Sequence, residues 1–260
     1  MSLGRKQRIE NADWLEAVEK IEDLVSKKDL DKLVKATAKE IKEQVKGHKV
    51  AYAWSGGKDS LVLSSICENA GIHDSVFVHC NLEYPEFLNW CLENKPQGCE
   101  VINTGQDLNW LKEHPKMLFP TTSDLIGRWF GIVQHSGIRK YYKDHDLDMV
   151  ILGRRRADGN YVGKGSNIYT NGNGITQYSP LADWSHEMIL AYIHYNNIQL
   201  PPIYGWKDGY FCGTHPWPSR MGTNSISDGY RDVYEIDPQI VIDAAGTLDS
   251  AAAFLKEVDG

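Results

Sequence analysis

Between residues 14 and 25 the apolar side chains fall at Trp14, Leu15, Val18, Ile21, Leu24 and Val25, with Lys, Glu and Asp filling the gaps. That is helical spacing with a charged outer face. Ser26-Lys-Lys-Asp interrupts the pattern, residues 30–45 resume it as a second amphipathic helix, and Gly47 ends that helix as a C-terminal glycine does. From Lys49 the rhythm changes. KVAYAW is a short apolar run suited to a buried parallel strand, SGGKDS follows as a loop, and SLVLSSICENAG reads as a helix closed by Gly71. SVFVHC (75–80) predicts the next strand, PEFLNWCLEN (85–94) a helix, CEVINT (99–104) a third strand and LDMVILG (147–153) a further one. Residues 123–143 are mainly helical in pattern despite three glycines.

Strands alternating with helices predict an α/β fold: a mostly parallel twisted sheet with helices on both faces, preceded by N-terminal helices. The expected division is a helical extension over 1–46 and an α/β domain over 47–260. Within the latter, RRRADGNYVGKGSNIYTNGNG (154–174) has no period and is dense in glycine and asparagine, which predicts an irregular lid. SHEMILAYIHYNN returns to helical spacing with Asp183 or Ser185 as its N-cap. The tail from Pro201 is rich in Pro, Gly and aromatics up to a last apolar helix near 248–257.

Composition changes this picture little. The 260 residues are 42% hydrophobic and 24% charged, ordinary for a globular protein. A formal net charge of -7 argues against broad electrostatic binding of nucleic acid, but not against a local basic patch. No apolar run approaches the roughly 20 residues of a bilayer span, and MSLGRKQRIENADW has no signal-peptide stretch. A soluble, cytoplasmic chain without a membrane partner is expected. Cys67, Cys80, Cys91, Cys99 and Cys212 are odd in number, scattered and without a CxxC, which suits reduced thiols rather than a disulfide framework.

The chemistry gathers in SGGKDS, directly after a strand and at the start of a helix. Ligands of open α/β sheets bind beyond the carboxyl ends of the strands. A glycine-rich turn of backbone N–H groups and a helix N-terminus both attract anions. Gly56 and Gly57 let backbone approach phosphate, Ser55 and Ser60 offer hydroxyls, and Lys58 supplies a point charge. Asp59 would be repelled by phosphate unless a cation lay between them, which makes it a candidate Mg²⁺ ligand. The Walker pattern GxxxxGK[ST] is absent. Arg154, Arg155 and Arg156 follow a strand end, and their planar forks suit oxyanions. Glu83 is a second candidate for Mg²⁺. Tyr161, Tyr169 and Tyr178 are candidates for stacking on a base.

At these residues the chain resembles a known family. SGGKDS is similar to the PP-loop of the ATP pyrophosphatases, or adenine nucleotide alpha-hydrolases. VFVHCNLEYPEFLNWC, ILGRRRADGN and SPLADWSHEMILAYIHYNNIQLPPIYGWKDGY resemble, in order, segments of its phosphoadenosine phosphosulfate (PAPS) reductase-like branch. One departure is Ala157-Asp158-Gly159, where that branch commonly has an acidic residue and Ser. The resemblance implies that residues 55–60 hold the phosphates and Mg²⁺ of ATP or PAPS. It further implies that Arg154–156 contact phosphate, sulfate or ribose, and that His79 and Asn81 at the second strand's end contact adenosine.

Two chemistries then stay open, with a third, non-catalytic reading beside them. Reductases of this branch use a cysteine thiolate in a Glu-Cys-Gly-Leu/Ile-His motif near the chain end. Here Phe211 precedes Cys212-Gly-Thr-His215, close behind Gly209-Tyr210, and the cysteine pairs of an iron–sulfur cluster are missing. Cys212 is the nucleophile only if the protein is such a reductase. The intact loop favours cleavage of ATP between the α and β phosphates, with Lys58, Asp59 and Arg155 as catalytic residues and an adenylated acceptor as product. That reaction is a transferase step suited to sulfur metabolism, its acceptor either a nucleic acid or a sulfur metabolite. The third reading is a nucleotide-binding subunit or sensor, with the N-terminal helices meeting a protein partner or a second copy.

Overall fold

In the computed structural model the described residues are Leu3, 9–221 and 223–258. The chain opens with α1 (Asn11–Glu19), α2 (Ile21–Leu24) and α3 (Lys27–Gln44). Ser26 lies in the break between α2 and α3 and is the N-cap of α3, its hydroxyl accepting from Asp29 N. The helix therefore starts three residues before the apolar pattern does. α3 buries Leu30, Thr37 and Ile41 and turns its Lys–Asp pairs to solvent.

Strand β1 (Val50–Trp54) leads through the SGGKDS loop into α4 (Lys58–Asn69). β2 (Ser75–His79) is buried along its whole length, and α5 (Pro85–Asn94) begins on a proline at its first turn, where no N–H is needed. β3 (Glu100–Asn103), α6 (Leu108–Glu113), α7 (Ser123–Ile132) and α8 (Gln134–Asp144) lead to β4 (Met149–Ile151). The sheet order is β3-β2-β1-β4-β6-β5, where β5 is Ile168–Thr170 and β6 is Thr176–Tyr178. All pairings are parallel except β5 with β6. Val50 aligns with Met149 and Tyr52 with Ser75, which places the loop after β1 and the segment after β4 at the same carboxyl edge.

Two expectations change. Residues 154–174 contain a 3₁₀ turn (Arg156–Asp158) and strand β5, hairpinned onto β6. Asn171 makes the hairpin turn, its Oδ1 accepting from Asn173 N and Ile175 N. Three-residue strands, Ile-Tyr-Thr and Thr-Gln-Tyr, are too short to carry an apolar pattern to read. The expected helix after residue 185 is α9 (His186–Tyr195), and the tail from Pro201 holds α10 (Gly209–Cys212), α11 (Ile226–Ile236), α12 (Pro238–Ala245) and α13 (Asp249–Val258), not one last helix alone. Ser185, not Asp183, caps α9, while Asp183 pairs with Arg156.

The N-terminal helices share the main core. Thr37 Oγ1 accepts from Trp184 Nε1 at 3.2 Å, Glu40 accepts from Tyr178 OH at 3.1 Å, and Tyr195 OH donates to Val25 O at 2.9 Å. No helix among the described residues is long and apolar enough to cross a membrane.

Candidate functional site

The loop braces itself. Ser60 Oγ donates to Gly57 O at 2.9 Å and accepts from Ser55 N at 3.1 Å. Gly56 has φ +70°, and a Cβ there would lie 2.5 Å from Cys91 Sγ on α5 and 3.3 Å from the Phe87 ring. Both the backbone conformation and the space therefore require glycine. Gly57 is extended and precedes the first turn of α4, so the helix dipole's positive end faces the loop.

Lys58 is 3% exposed, and its Nζ lies 2.7 Å from Asp59 Oδ2. Over it sits the Trp14 ring of α1, with Nζ 5.2 Å from the ring centroid. Trp14 in turn stacks on Tyr210 and meets His186 edge-on. Lys58 N donates to Tyr204 OH at 2.7 Å. Burial drives the Tyr204 phenol pKa upward, and the nearby Asp59 charge adds to this, so it stays a neutral hydroxyl. None of Trp14, Tyr204 or Tyr210 was legible as a neighbour of the loop. They come from distant elements and read in sequence as ordinary core aromatics.

The three arginines separate. Arg155 is fully buried and points to the loop: Nε lies 2.7 Å from Asp59 Oδ1 and Nη2 3.0 Å from Asp158 Oδ2. Its other donors reach Trp184 O at 3.2 Å and His186 Nδ1 at 3.1 Å, which fixes Nδ1 as the acceptor of that imidazole. Arg154 bonds instead to Tyr169, Gln177 and His135. Arg156 is exposed and pairs with Asp183 and Asn167. Two guanidinium or ammonium charges and two carboxylates thus balance behind the loop.

That balance decides the metal question. Each Asp59 oxygen already faces a cation, Lys58 on one side and Arg155 on the other. Glu83 Oε1 accepts from Cys80 N at 3.3 Å, and its Oε2 is buried. Burial holds the Glu83 carboxyl up at about 7, half-protonated near neutrality. Among the described residues no group of three or more His, Cys, Asp or Glu is arranged for a metal. Asp59 and Glu83 therefore do not fit a resident Mg²⁺.

The remaining candidates fall at several places in the fold. His79 is buried, its Nδ1 3.1 Å from Cys80 O, and its carbonyl accepts from Thr104 N and Oγ1. Asn81 is tied to Gly105 and Asn103. These links pin the ends of β2 and β3 together. Cys212 is buried on α10, with Sγ 3.6 Å from Met221 O. Burial pushes its thiol pKa up, against the smaller pull of Arg220. His215 packs edge-on against Phe130 and lies 3.3 Å from Ser219 Oγ. Tyr178 is fully buried on Glu40 and has no face for a base, and Tyr161 meets Tyr169 edge-on at 4.9 Å.

A mostly parallel sheet with a glycine-rich loop and buried lysine at the carboxyl edge of β1 agrees with an adenine nucleotide alpha-hydrolase fold. The phosphoadenosine phosphosulfate reductase domain model matches residues 49–210, and the chain belongs to that family. A phosphoadenosine phosphosulfate reductase of Emericella nidulans is 27% identical over 104 residues, 40% of this chain and 31% of the relative. The match thus spans about a third of that protein. The crystal structure of phosphoadenylyl-sulfate (PAPS) reductase from Candida auris, a phosphate complex, superposes with TM-score 0.55 at 18% identity, covering 76% of this chain and 98% of that one. It shows the shared fold. An NH3-dependent NAD synthetase from Campylobacter jejuni covers 86% of this chain and 96% of its own at TM-score 0.46 and 15% identity, too distant to carry an argument.

Proposed function

We propose that loop 55–60 holds the triphosphate of ATP and that the protein cleaves it between the α and β phosphates, passing the adenylyl group to an acceptor. The observation that carries this reading is the loop itself: self-braced, strictly glycine at 56, set at the N-terminus of α4, with a buried lysine at its centre. On nucleotide binding Lys58 exchanges the Asp59 carboxylate for phosphate oxygens, and Asp59 stays neutralised by Arg155. Magnesium enters as part of the substrate, carried by the triphosphate. An acceptor oxygen attacks the α-phosphorus, the bond to the bridging oxygen breaks, and pyrophosphate leaves with its charge met by Lys58 and the helix N-terminus. The acceptor's proton passes to water. The acceptor is a sulfur metabolite or a nucleic acid, the latter met through a local basic surface given the net charge of -7.

Family membership favours a second reading, thiol-dependent reduction of PAPS. Burial of Cys212 and the rise in its pKa count against it, because the thiolate is the nucleophile.

The test is product analysis with α-labelled ATP and Mg²⁺, using wild type and Lys58→Ala, with PAPS and reduced thioredoxin in parallel. AMP and pyrophosphate from wild type alone support the proposal. ADP and phosphate contradict it. Sulfite from PAPS, lost in Cys212→Ser, transfers the assignment to the reductase reading. Bound but uncleaved ATP, with every acceptor class tried, leaves a nucleotide-binding subunit or sensor.

A further inference from the structure

Beyond the loop, a second concavity lies on the other face of the sheet. β4 continues in extended backbone, with Arg155 at φ -133° and ψ 150°, so successive side chains alternate between faces. Arg155 takes the face that leads to Asp59. Arg154 takes the opposite one, below α8, where a cleft of about 260 Å³ runs from Arg154 to the hairpin turn at Asn171.

The walls of this cleft have a consistent chemistry. Leu152, Ile138 and Ile175 supply an apolar floor, and Arg139 of α8 joins Arg154 as a second guanidinium. No carboxylate lines the cleft among the described residues. The α8 positions one turn from Arg139 are His135, Ser136, Tyr142 and Lys143, none of them acidic. In a chain of net charge -7, two arginines without an acidic neighbour make a local positive potential.

Arg154 is also built in. Nη1 donates to Tyr169 OH at 2.7 Å and to Gln177 Oε1 at 3.0 Å, and Nη2 to His135 Nε2 at 2.8 Å. Gln177 is itself buried. Three of the guanidinium's five N–H donors hold it in place, which leaves two for a ligand. His135 must be neutral to accept that bond. Partial burial, with the Arg154 and Arg139 charges, holds its pKa down at about 4, although the residue as a whole is exposed.

We propose that this cleft binds a compact organic oxyanion, a phosphate or sulfate ester with a small apolar body, independently of the nucleotide at loop 55–60. Two arginines match the oxyanion, and the Leu152, Ile138 and Ile175 floor matches the body. The volume lies below the roughly 300–1,000 Å³ of drug-sized sites, so the ligand is a small metabolite, not a second nucleotide.

The experiment titrates ¹⁵N-labelled protein with phenyl phosphate and, separately, inorganic phosphate, following the His135 ring nitrogens by NMR. Wild type, Lys58→Ala and Arg139→Gln are compared, because Arg139 sits on the surface of α8 and its loss leaves the core intact. Phenyl phosphate should shift His135 saturably in wild type and with the same affinity in Lys58→Ala. Arg139→Gln should weaken it at least ten-fold, and inorganic phosphate should bind the same site more weakly. The proposal is overturned if His135 shows no saturable shift, if Arg139→Gln binds equally well, or if Lys58→Ala abolishes the effect. Equal affinity for inorganic phosphate would overturn the ester assignment. Because Lys58 is not among the residues lining the cleft, failure of the nucleotide proposal leaves this result untouched.

Discussion

Arg155 Nε lies 2.7 Å from Asp59 Oδ1, tying the segment after the fourth strand to the loop after the first. The same guanidinium reaches Asp158, so one buried cation serves two carboxylates from different parts of the carboxyl edge. A fully buried arginine is costly to desolvate, and its value lies in the geometry it fixes.

Removing Arg155 therefore leaves Asp59 with Lys58 as its cation and takes the guanidinium from the largely buried Asp158. Arg155→Met is expected to destabilise the fold by on the order of 3–5 kcal/mol, read as a lower urea midpoint. Arg155→Lys should recover only part, because one ammonium cannot span both carboxylates, Trp184 O and His186. An unchanged midpoint in Arg155→Met would show that the pair holds nothing.

Gly56 is constrained twice, by φ +70° and by Cys91 Sγ at 2.5 Å from a would-be Cβ. Gly56→Ala should cost on the order of 2–4 kcal/mol, from left-handed backbone and overpacking together. Adding Cys91→Ala should restore the packing part and leave the backbone part. A double variant no more stable than Gly56→Ala would remove the steric half of this account.

These relationships differ in how far the sequence discloses them. SGGKDS is legible because its chemistry sits in six consecutive residues between two apolar runs, and α5 is legible because Pro85 marks its start. Arg154, Arg155 and Arg156 look equivalent in sequence, yet alternation along the extended backbone separates Arg154 from Arg155, and Arg156 opens the 3₁₀ turn. Trp14 and Tyr204 carry no local mark of their place beside Lys58, since that place is set by tertiary packing of α1 and the segment before α10. The three-residue strands of the hairpin fail for a simpler reason: three residues each, mostly Thr, Tyr and Gln, are too short and too polar to show an alternation of apolar and polar faces.

The Trp14 ring over Lys58 is open to a double-mutant cycle. Trp14→Leu and Lys58→Met, alone and together, should show a coupling of about 1–2 kcal/mol in chemical denaturation, as a desolvated cation–π contact implies. Additive effects would mean that Trp14 only fills space.

Glu83 makes a pH prediction. Burial raises its folded pKa to about 7 from the usual 4.5. The folded state therefore holds a proton that the unfolded chain releases, and stability falls as pH rises from about 4.5 through about 7. The melting temperature of wild type should decline across that window, and Glu83→Gln should flatten the decline. A variant with the same slope as wild type would place the titration elsewhere.

The most direct measurement of the central claim is a calorimetric titration of wild type and Lys58→Ala with MgATP, AMP and PAPS. The account predicts saturable MgATP binding to wild type, AMP weaker by at least ten-fold because it lacks the β and γ phosphates, and loss of MgATP binding in Lys58→Ala. MgATP that fails to bind wild type, or that binds Lys58→Ala equally well, would contradict the assignment of loop 55–60 as the phosphate site.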